Sequence, residues 1–430
     1  MSGNSSLRRD VLPHFQFLNS LGTPALLVLL LCLLAGRAIA EPIHRLDGEK
    51  LTTAQIDAEV ARLMKARQVP GLAVALIEDG EPVFVKSYGL ASVEKKLSLQ
   101  NDTILYAASL TKLAFAYMVM QLVDEHVIDL DTSIGKYLPK PLPEYEKYAD
   151  LASDERWRKL TPRILLDHTT GFQNFRFINP DGKLDFKFDP GTRYAYSGEG
   201  INLLQFVLET GIGLDVGQEM QHRVFNRFKM KRTSMTWRED FAPNHADGYD
   251  EHGKSEPHDR RGSVRAAGSM DTTIEDSAKF LAGFLRGEGL SATARAEMLQ
   301  PQIAIRSAHQ FPTLEPAENP PADARIGLSA GLGCVLFRGP FGPVFYKGGH
   351  NEWTDNIALG IPATKRGLLL MSNSILAETI YPALVKFLWG EIGLPWSWEY
   401  NAPELPPPLS MGEPGNALQQ GEIVRCSLIL

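Results

Sequence analysis

Cysteine is scarce in this chain, with three residues in 430. They stand at Cys32, Cys334 and Cys426, far apart and without a repeated spacing. A small domain stapled by disulfides has many more cysteines at shorter intervals, so that class is excluded. A bridge between Cys334 and Cys426 stays open, but the spacing favours two unpaired thiols.

Strong positive charge is also lacking. The 44 Lys and Arg against 51 Asp and Glu give a net charge of −7. No local Lys/Arg cluster offsets this balance. Since binding to phosphate backbones and anionic lipids depends on such clusters, neither nucleic acid nor a membrane surface is predicted as a partner.

The chain has an apolar run near its start that is too short to span a bilayer. Ala25–Gly36 has twelve apolar residues, whereas a spanning helix needs about 20. Arg8 and Arg9 precede the run, and the small-residue pattern Ala38–Ala40 follows it. These features predict a signal peptide over residues 1–40, cleaved after Ala40. We therefore expect a bacterial periplasmic or secreted protein that meets the membrane only during export; an uncleaved anchor is the alternative.

Hydrophobic periodicity predicts helices and strands in a definite order. Helical spacing covers 53–67, 107–127, 201–209, 274–285 and 380–388. Asp79-Gly80 joins the apolar runs Gly71–Glu78 and Pro82–Tyr88, which is typical of a β-hairpin. Further strands are predicted at 333–338, 343–347, 356–360 and 367–371.

This order predicts an α/β (α+β) fold in which both chain ends contribute to one antiparallel sheet flanked by helices. We expect one domain over 41–400, with an α/β lobe of about 41–108 and 325–400 and a mostly helical second lobe of about 109–324. Residues 401–430 are rich in proline at their start and have no periodicity, so they are predicted to form a tail. A cleft between the lobes is the expected place for an active site.

Ser109 and Lys112 form a Ser-x-x-Lys pattern at the start of a predicted helix. Positions i and i+3 share one helix face, so the amine can reach the hydroxyl and act as its base once burial lowers the lysine pKa. The pattern also occurs at Ser92–Lys95 and Ser133–Lys136, in loops. The alternative for any such pattern is an N-capping serine with a solvated lysine.

Two other patterns are weighed and set aside. His245, His252 and His258 have spacings of 7 and 6, which match no zinc pattern, so no metal is predicted. Gly327–Gly331 reads G-x-S-x-G around Ser329. A nucleophile elbow needs a strand before it and a helix after it, whereas here a proline-rich stretch at 315–325 precedes the motif and a strand-like run at 333–338 follows it, so Ser329 is interpreted as a turn serine.

Four segments together resemble the serine β-lactamase and penicillin-binding-protein superfamily. Within it the chain looks most like the branch of class C β-lactamases, D-Ala-D-Ala carboxypeptidases and family VIII esterases. The resemblance rests on the segment from Tyr106 to Lys112, on Ile164–Gly171 (similar to LL-x-H-x-S-G), on Pro190–Ser197 (similar to P-G-T…Y-S-N) and on Lys347–Gly349 (similar to K-T-G).

The resemblance implies roles for individual residues. Ser109 would be the nucleophile, Lys112 its activator, Tyr196 a second base and proton shuttle, and Lys347 a strand lysine that tunes the network. The backbone N–H groups of Ser109 and His350 would form the oxyanion hole. Tyr194 is the rival to Tyr196, and His168 is expected to be structural. No cofactor is implied.

Two departures from the family pattern concern substrate binding. Gly198 stands where related β-lactamases have an asparagine, and Gly348 stands where they have threonine or serine. Glu199 is a candidate to replace the lost polarity, and Gly349 and Asn351 are further candidates for substrate contact. Neither departure removes a group assigned to acylation.

The sequence therefore predicts an exported serine hydrolase that cleaves a small ester, amide or β-lactam through an acyl-Ser109 intermediate. The first alternative is a D-Ala-D-Ala carboxypeptidase or class C β-lactamase acting on cell-wall-like substrates. A non-catalytic penicillin-binding-like sensor or binding protein is the alternative from another class. No oligomeric state is predicted.

Overall fold

A computed structural model describes residues 42–314 and 325–400. The predicted signal peptide, the predicted tail and Cys426 lie outside the described residues. Cys334 is a buried free thiol. No helix in the described part is long and apolar enough to cross a membrane.

The helices follow the hydrophobic spacing of the sequence. The α-helices are α1 Thr53–Arg67, α2 Leu110–Asp124, α3 Pro162–Leu166, α4 Gly198–Phe206, α5 Val216–Met220, α6 Ile274–Arg286, α7 Ala292–Met298, α8 Tyr381–Trp389 and α9 Trp396–Tyr400. Short 3₁₀-helical segments lie at Ile134–Lys136, Leu142–Glu144, Glu146–Leu151, Glu155–Lys159, Arg176–Ile178, Glu239–Phe241 and Ile375–Thr379. Two π-helical segments continue α4 and α5, over Val207–Ile212 and Gln221–Asn226.

Fifteen strands are present in the described part. They are β1 Ile43–His44, β2 Lys50–Leu51, β3 Gly71–Glu78, β4 Glu81–Ser92, β5 Leu97–Ser98, β6 Leu105–Tyr106, β7 Gly248–Tyr249, β8 Ser255–Glu256, β9 Asp271–Thr272, β10 Ile303–Ala304, β11 Ser329–Ala330, β12 Val335–Gly339, β13 Gly342–Asn351, β14 Thr354–Ile361 and β15 Arg366–Ser372. The six longest strands were predicted from the sequence, whereas none of the two-residue strands was.

Nine strands form one antiparallel sheet in the order β10-β11-β12-β13-β14-β15-β3-β4-β5. The two chain ends meet in its middle, where β15 pairs with β3 and Ser372 lies opposite Leu72. This confirms the predicted mixed α/β class with one antiparallel sheet built from both ends. The described residues from Ile43 onward belong to one compact unit, and the division into two lobes stays a prediction.

Strand β3 shows why the sheet is covered on both faces. All but the last of its residues are buried, and consecutive side chains point to opposite faces. Ala73 and Ala75 belong to the core that contains α2 and α6. Leu72 and Val74 belong to a second core that contains α1 and α8. The continuous apolar run of β3 is therefore explained by helices on each side.

Helix α2 runs through the middle of the first core. Every residue from Leu110 to Leu122 is buried, so the helix is apolar around its whole circumference. Gly333 follows β11 with φ 79°, and a Cβ there would collide with Ala116 on α2. The missing side chain lets this turn lie directly against the helix. Such close packing fixes the first turn of α2, where Ser109 and Lys112 lie.

Candidate active site

Ser109 caps the N-terminus of α2 without using its side chain as a cap. The residue before it, Ala108, has φ 47°, in the left-handed region that residues with a Cβ rarely adopt. Thr111 Oγ1 donates to Ala108 O at 2.6 Å and holds this turn. Because the Ser109 hydroxyl forms no capping hydrogen bond, it can form hydrogen bonds with other groups. The alternative of a serine whose side chain caps the helix beside a solvated lysine does not apply, because Lys112 is buried as well.

The Ser109 hydroxyl contacts two potential proton-transfer groups. Lys112 Nζ lies 2.9 Å from Ser109 Oγ, and the Tyr196 hydroxyl donates to the same oxygen at 2.8 Å. Lys112 Nζ also donates to Ala267 O at 2.5 Å. Two of the residues predicted to act on Ser109 are thus within hydrogen-bonding distance of it.

Burial sets the protonation states of these groups. Lys112 is 1% exposed, and its removal from water together with the nearby Lys347 charge holds its pKa well below the usual range. Burial raises the pKa of Tyr196, so the phenol is protonated at neutral pH. A neutral amine accepts the serine proton, whereas a protonated phenol donates. The geometry therefore favours Lys112 as the base; the base role that the resemblance gives Tyr196 stays a prediction.

Lys347 lies on β13 and faces the Tyr196 ring from the other side of the site. Its Nζ lies 4.9 Å from the ring centroid, and Lys112 Nζ lies 4.8 Å from it. Lys347 Nζ donates to Gly348 O at 2.6 Å. Burial lowers the pKa of Lys347 to about 8, with Glu399 opposing the shift. The four residues predicted to be catalytic therefore meet at one point.

Strand β13 is held against the start of α2 by a buried asparagine. Asn356 on β14 donates from Nδ2 to Gly349 O at 2.8 Å and to Tyr106 O at 3.1 Å. A Cβ at Gly349 would come within 2.8 Å of Leu110 N, so only glycine permits this approach. Gly349 thus brings the strand close to the nucleophile turn rather than lining the cavity.

The cavity at Ser109 is small, with a volume of about 20 Å³, which is room for about one water molecule. Its lining includes six of the predicted residues: Ser109, Lys112, Tyr196, Lys347, Gly348 and His350. Phe311 covers it, with ring centroids 5.3 Å from Tyr196 and 5.5 Å from His350. The oxyanion role of the Ser109 and His350 N–H groups stays a prediction.

Gly198, Glu199 and Asn351 are not among the residues that line this cavity. The Glu199 carboxylate is bound by Arg176, which donates to it from Nε at 3.0 Å. Glu199 therefore does not supply the polarity lost at position 198. Asn351 lines a separate cavity of about 230 Å³, together with Tyr106 and other residues.

The rival tyrosine and the structural histidine lie behind the site. Tyr194 is buried, and its hydroxyl has no hydrogen-bond partner within the described residues. His168 packs against Tyr196 with ring centroids 4.4 Å apart and ring planes tilted by 34°, and its Nδ1 accepts from Ser197 N at 3.2 Å. Burial holds the His168 pKa well below its usual range, so the ring is neutral and supports Tyr196.

The two other candidate sites have different surroundings. Ser329 lies in β11, and the chain turns directly from it into β12, which is not the strand-then-helix arrangement of a nucleophile elbow. His258 contacts Asp271 at 3.1 Å, and its ring centroid lies 5.7 Å from that of His245. Within the described ranges, no group of three His, Cys, Asp or Glu side chains is placed to hold a metal ion.

Comparison with known proteins identifies the family. The family model described as Beta-lactamase matches residues 56–376, which includes Ser109, Lys112, Tyr196 and Lys347. The chain belongs to the Beta-lactamase family. This confirms the superfamily recognised from the sequence motifs.

Individual members of the superfamily are distant in sequence. A D-aminopeptidase of Gluconobacter oxydans (strain 621H) is 24% identical over 205 residues, which cover 46% of this chain and 38% of the relative. The chain spans about half the length of the next two curated relatives.

Two solved structures share the fold. The octameric penicillin-binding protein homologue from Pyrococcus abyssi has a TM-score of 0.63 at 21% identity, with 79% of this chain and 78% of that chain covered. The D-alanine carboxypeptidase AmpC from Burkholderia cenocepacia has a TM-score of 0.59 at 19% identity, with 74% and 93% covered.

Asn174 is a residue of the site that the sequence analysis missed. It is 1% exposed and lines the Ser109 cavity. Its Oδ1 accepts from Gly198 N at 2.9 Å, whereas its Nδ2 is buried without a hydrogen-bond partner in the described part of the chain. An amide therefore lies beside the position where family β-lactamases have asparagine, but it comes from 24 residues earlier in the chain.

Glu399 is the second such residue. It lies on α9, is 3% exposed and lines the Ser109 cavity together with Lys347 and Gly348. Glu399 could not be selected from the sequence, because no motif spacing relates it to Lys347–Gly349. The only signal is the aromatic character of Trp396–Tyr400, which indicates that this segment is buried. Its carboxyl group lies beside Gly348, the second position at which the sequence departs from the family pattern.

Proposed function

We propose that this protein is a serine hydrolase that cleaves an ester or amide bond through an acyl-Ser109 intermediate. The observation that supports this most directly is the pair of contacts at Ser109 Oγ, from Lys112 Nζ at 2.9 Å and from the Tyr196 hydroxyl at 2.8 Å. A hydroxyl that lies between an amine with a lowered pKa and a phenol with a raised pKa has the groups that acyl transfer requires.

In the acylation step, Ser109 Oγ forms a bond to the substrate carbonyl carbon while its proton passes to Lys112 Nζ. The carbonyl oxygen becomes an oxyanion, which the N–H groups of Ser109 and His350 are proposed to stabilise. The bond to the leaving group then breaks, and that group takes a proton from Lys112, with Tyr196 as relay. Water attacks the ester in the second half-reaction, releases the acid and restores the Ser109 hydroxyl.

The small cavity requires a movement before substrate binds. A volume of about 20 Å³ does not hold an acyl group, and Phe311 is the side chain that covers Tyr196. We propose that Phe311 turns away when substrate enters and that Asn174 Nδ2 then donates to a carbonyl of the bound acyl group. That bond would give the buried amide the partner that it lacks.

The first test is covalent labelling. Fluorophosphonate treatment of the purified protein should add one phosphonyl group at Ser109, with loss of fluoride. Intact-mass measurement should show this adduct in the wild type and in Ser133→Ala, and no adduct in Ser109→Ala. Labelling of Ser109→Ala, or no labelling of the wild type, contradicts the proposal.

A cell-wall carboxypeptidase or β-lactamase is the second candidate, supported by the fold shared with a D-alanine carboxypeptidase. Turnover of nitrocefin and of D-Ala-D-Ala peptides, compared with p-nitrophenyl esters, separates the two. Ester turnover alone argues against the cell-wall function. Ligand binding that survives Ser109→Ala, without any turnover, would indicate the binding-protein alternative.

We also propose that the protein is exported to the periplasm or secreted after cleavage behind Ala40. The proposal rests on the charged start, short apolar run and Ala38–Ala40 pattern of residues 1–40. N-terminal sequencing of the protein expressed at full length in a bacterium should give Glu41 as the first residue. A protein that retains residues 1–40 contradicts it.

A further inference from the structure

The space beside Gly348 is occupied by a carboxyl group from the far end of the described chain. A Cβ at position 348 would collide with Oε1 of Glu399. A threonine or serine side chain therefore does not fit on this strand while Glu399 is in place. Gly348 and the buried Glu399 therefore depend on each other, because the absence of a side chain at position 348 leaves the space that the carboxyl group fills.

Glu399 is held in this position by several contacts around α9. Gln310 Nε2 donates to Glu399 Oε2, and Gln310 N donates to Trp398 O at 2.8 Å. Trp398 is fully buried, and its Nε1 donates to Ser307 Oγ at 3.2 Å. The carboxyl group thus has a fixed place in the wall of the cavity.

The remaining oxygen, Oε1, lies beside Gly348 in the wall of the cavity. It is buried and accepts no hydrogen bond of normal length. Burial raises the pKa of Glu399 to about 7, while Lys347, Tyr346 and Gln310 oppose that shift, and Lys347 Nζ itself donates to Gly348 O. A buried acceptor of this kind favours a hydrogen-bond donor or a cation and repels another carboxylate.

From this placement we infer that Glu399 determines substrate specificity. It excludes substrates whose leaving group carries a carboxylate next to the scissile bond, and it favours leaving groups with a neutral donor or an ammonium group there. The inference rests on the proposed function, because it assumes that the substrate carbonyl is attacked by Ser109. It reverses the charge preference expected where a threonine or serine hydroxyl helps to hold a substrate carboxylate.

The test uses three acetate esters with the same aromatic ring and different substituents. They are the acetyl esters of 3-hydroxybenzoic acid, of 3-hydroxybenzamide and of 3-(aminomethyl)phenol, which present a carboxylate, an amide and an ammonium group. At pH 8, kcat/KM of the wild type should be at least about tenfold higher for the amide and ammonium esters than for the carboxylate ester. This comparison needs no variant.

Glu399→Gln keeps the shape of the side chain and removes its charge. The ratio of kcat/KM for the amide ester to that for the carboxylate ester should fall toward one. Glu391→Gln removes the same charge from an exposed residue eight positions earlier and should keep the wild-type ratio. If Glu399→Gln does not fold, Glu399→Asp replaces it, because it keeps the charge and should keep the preference against carboxylate.

The outcomes separate this inference from the proposed function. If the wild type is labelled at Ser109 and hydrolyses the esters but shows no preference against carboxylate, or if Glu399→Gln keeps the wild-type ratio, only the inference is overturned. If no ester is hydrolysed and Ser109 is not labelled, the proposed function fails and the inference fails with it.

Discussion

Ser109–Lys112 and Ser133–Lys136 have the same spacing of serine and lysine but different surroundings. Lys112 is buried on α2 beside the Ser109 hydroxyl, whereas Lys136 is exposed at the end of a single 3₁₀ turn. The Ser133 hydroxyl donates to Arg158 O at 2.7 Å, so its proton is engaged elsewhere. The same spacing therefore gives two different results: only at Ser109 does the helix place a buried amine, with a lowered pKa, beside the serine hydroxyl.

The largest expected effect comes from removing the buried amine. Lys112→Met should lower kcat/KM for a p-nitrophenyl ester by about 10²–10⁴-fold, since the general base is lost. Lys136→Met makes the same change at the exposed site and should leave kcat/KM unchanged. Thermal unfolding serves as the control for folding, and we expect the Lys112→Met protein to be at least as stable as the wild type because it no longer buries an amine. A Lys112→Met protein with wild-type activity would contradict the conclusion that the buried Lys112, unlike the exposed Lys136, acts as a base.

The next effect concerns the phenol that donates to Ser109 Oγ; the Ser133 hydroxyl is bonded to Arg158 O instead. Tyr196→Phe keeps the ring that packs against His168 but removes the hydroxyl that donates to Ser109 Oγ. We expect kcat to fall by about 10²-fold because proton relay is lost. Tyr194→Phe removes a buried hydroxyl two residues away and should change kcat by less than about twofold. Equal losses in the two variants would show that the ring environment, rather than the proton, matters.

The pH profile tests whether burial controls the charges. Burial and the nearby Lys347 charge hold the pKa of Lys112 well below its usual range, so the acidic fall of kcat/KM, where the amine becomes protonated, should lie well below the pH at which an exposed lysine titrates. Lys347 has a pKa of about 8, so its positive charge is lost as the pH rises above that value, and kcat/KM should fall again. Lys347→Arg keeps the charge at all these pH values and should move the alkaline limb upward by at least about one pH unit. An alkaline limb that stays in place argues against a charged Lys347.

The smallest effect is expected at Asn174. Asn174→Asp keeps the acceptor for Gly198 N but loses the Nδ2 donor. For p-nitrophenyl esters of N-acylglycines, kcat/KM should fall by about tenfold, whereas p-nitrophenyl acetate, which has no amide carbonyl, should be affected less. A uniform loss for the two substrates would indicate a general disturbance of the site.

The sequence was sufficient for the residues that lie in ordered motifs. The four groups at Ser109, Lys112, Tyr196 and Lys347 could be selected because the motifs appear in the family's order. The long strands could be located from their runs of strand-forming residues; in β3, neighbouring residues such as Leu72 and Ala73 contribute to the two different cores. Their proposed chemical roles are still predictions.

The rest of the site depends on long-range packing, which spacing does not record. Glu399 reaches Gly348 from 51 residues away, and Asn174 reaches Gly198 from an earlier loop. Glu199 carried the expected charge at the expected place, but Arg176 binds it. The sequence showed which polar groups were missing at positions 198 and 348, and only the fold shows what stands there instead.

The pairing of β15 with β3 has a consequence for biosynthesis. Ser372 lies opposite Leu72, so the centre of the sheet joins residues 300 positions apart. On the ribosome, β3 and β4 emerge long before β15, which will pair with β3. The edge of β3 therefore stays unpaired and prone to aggregation through most of translation. A chain built this way benefits from chaperones that keep it unfolded until synthesis ends. The same late closure is compatible with the proposed export, because a secretion channel accepts extended chains.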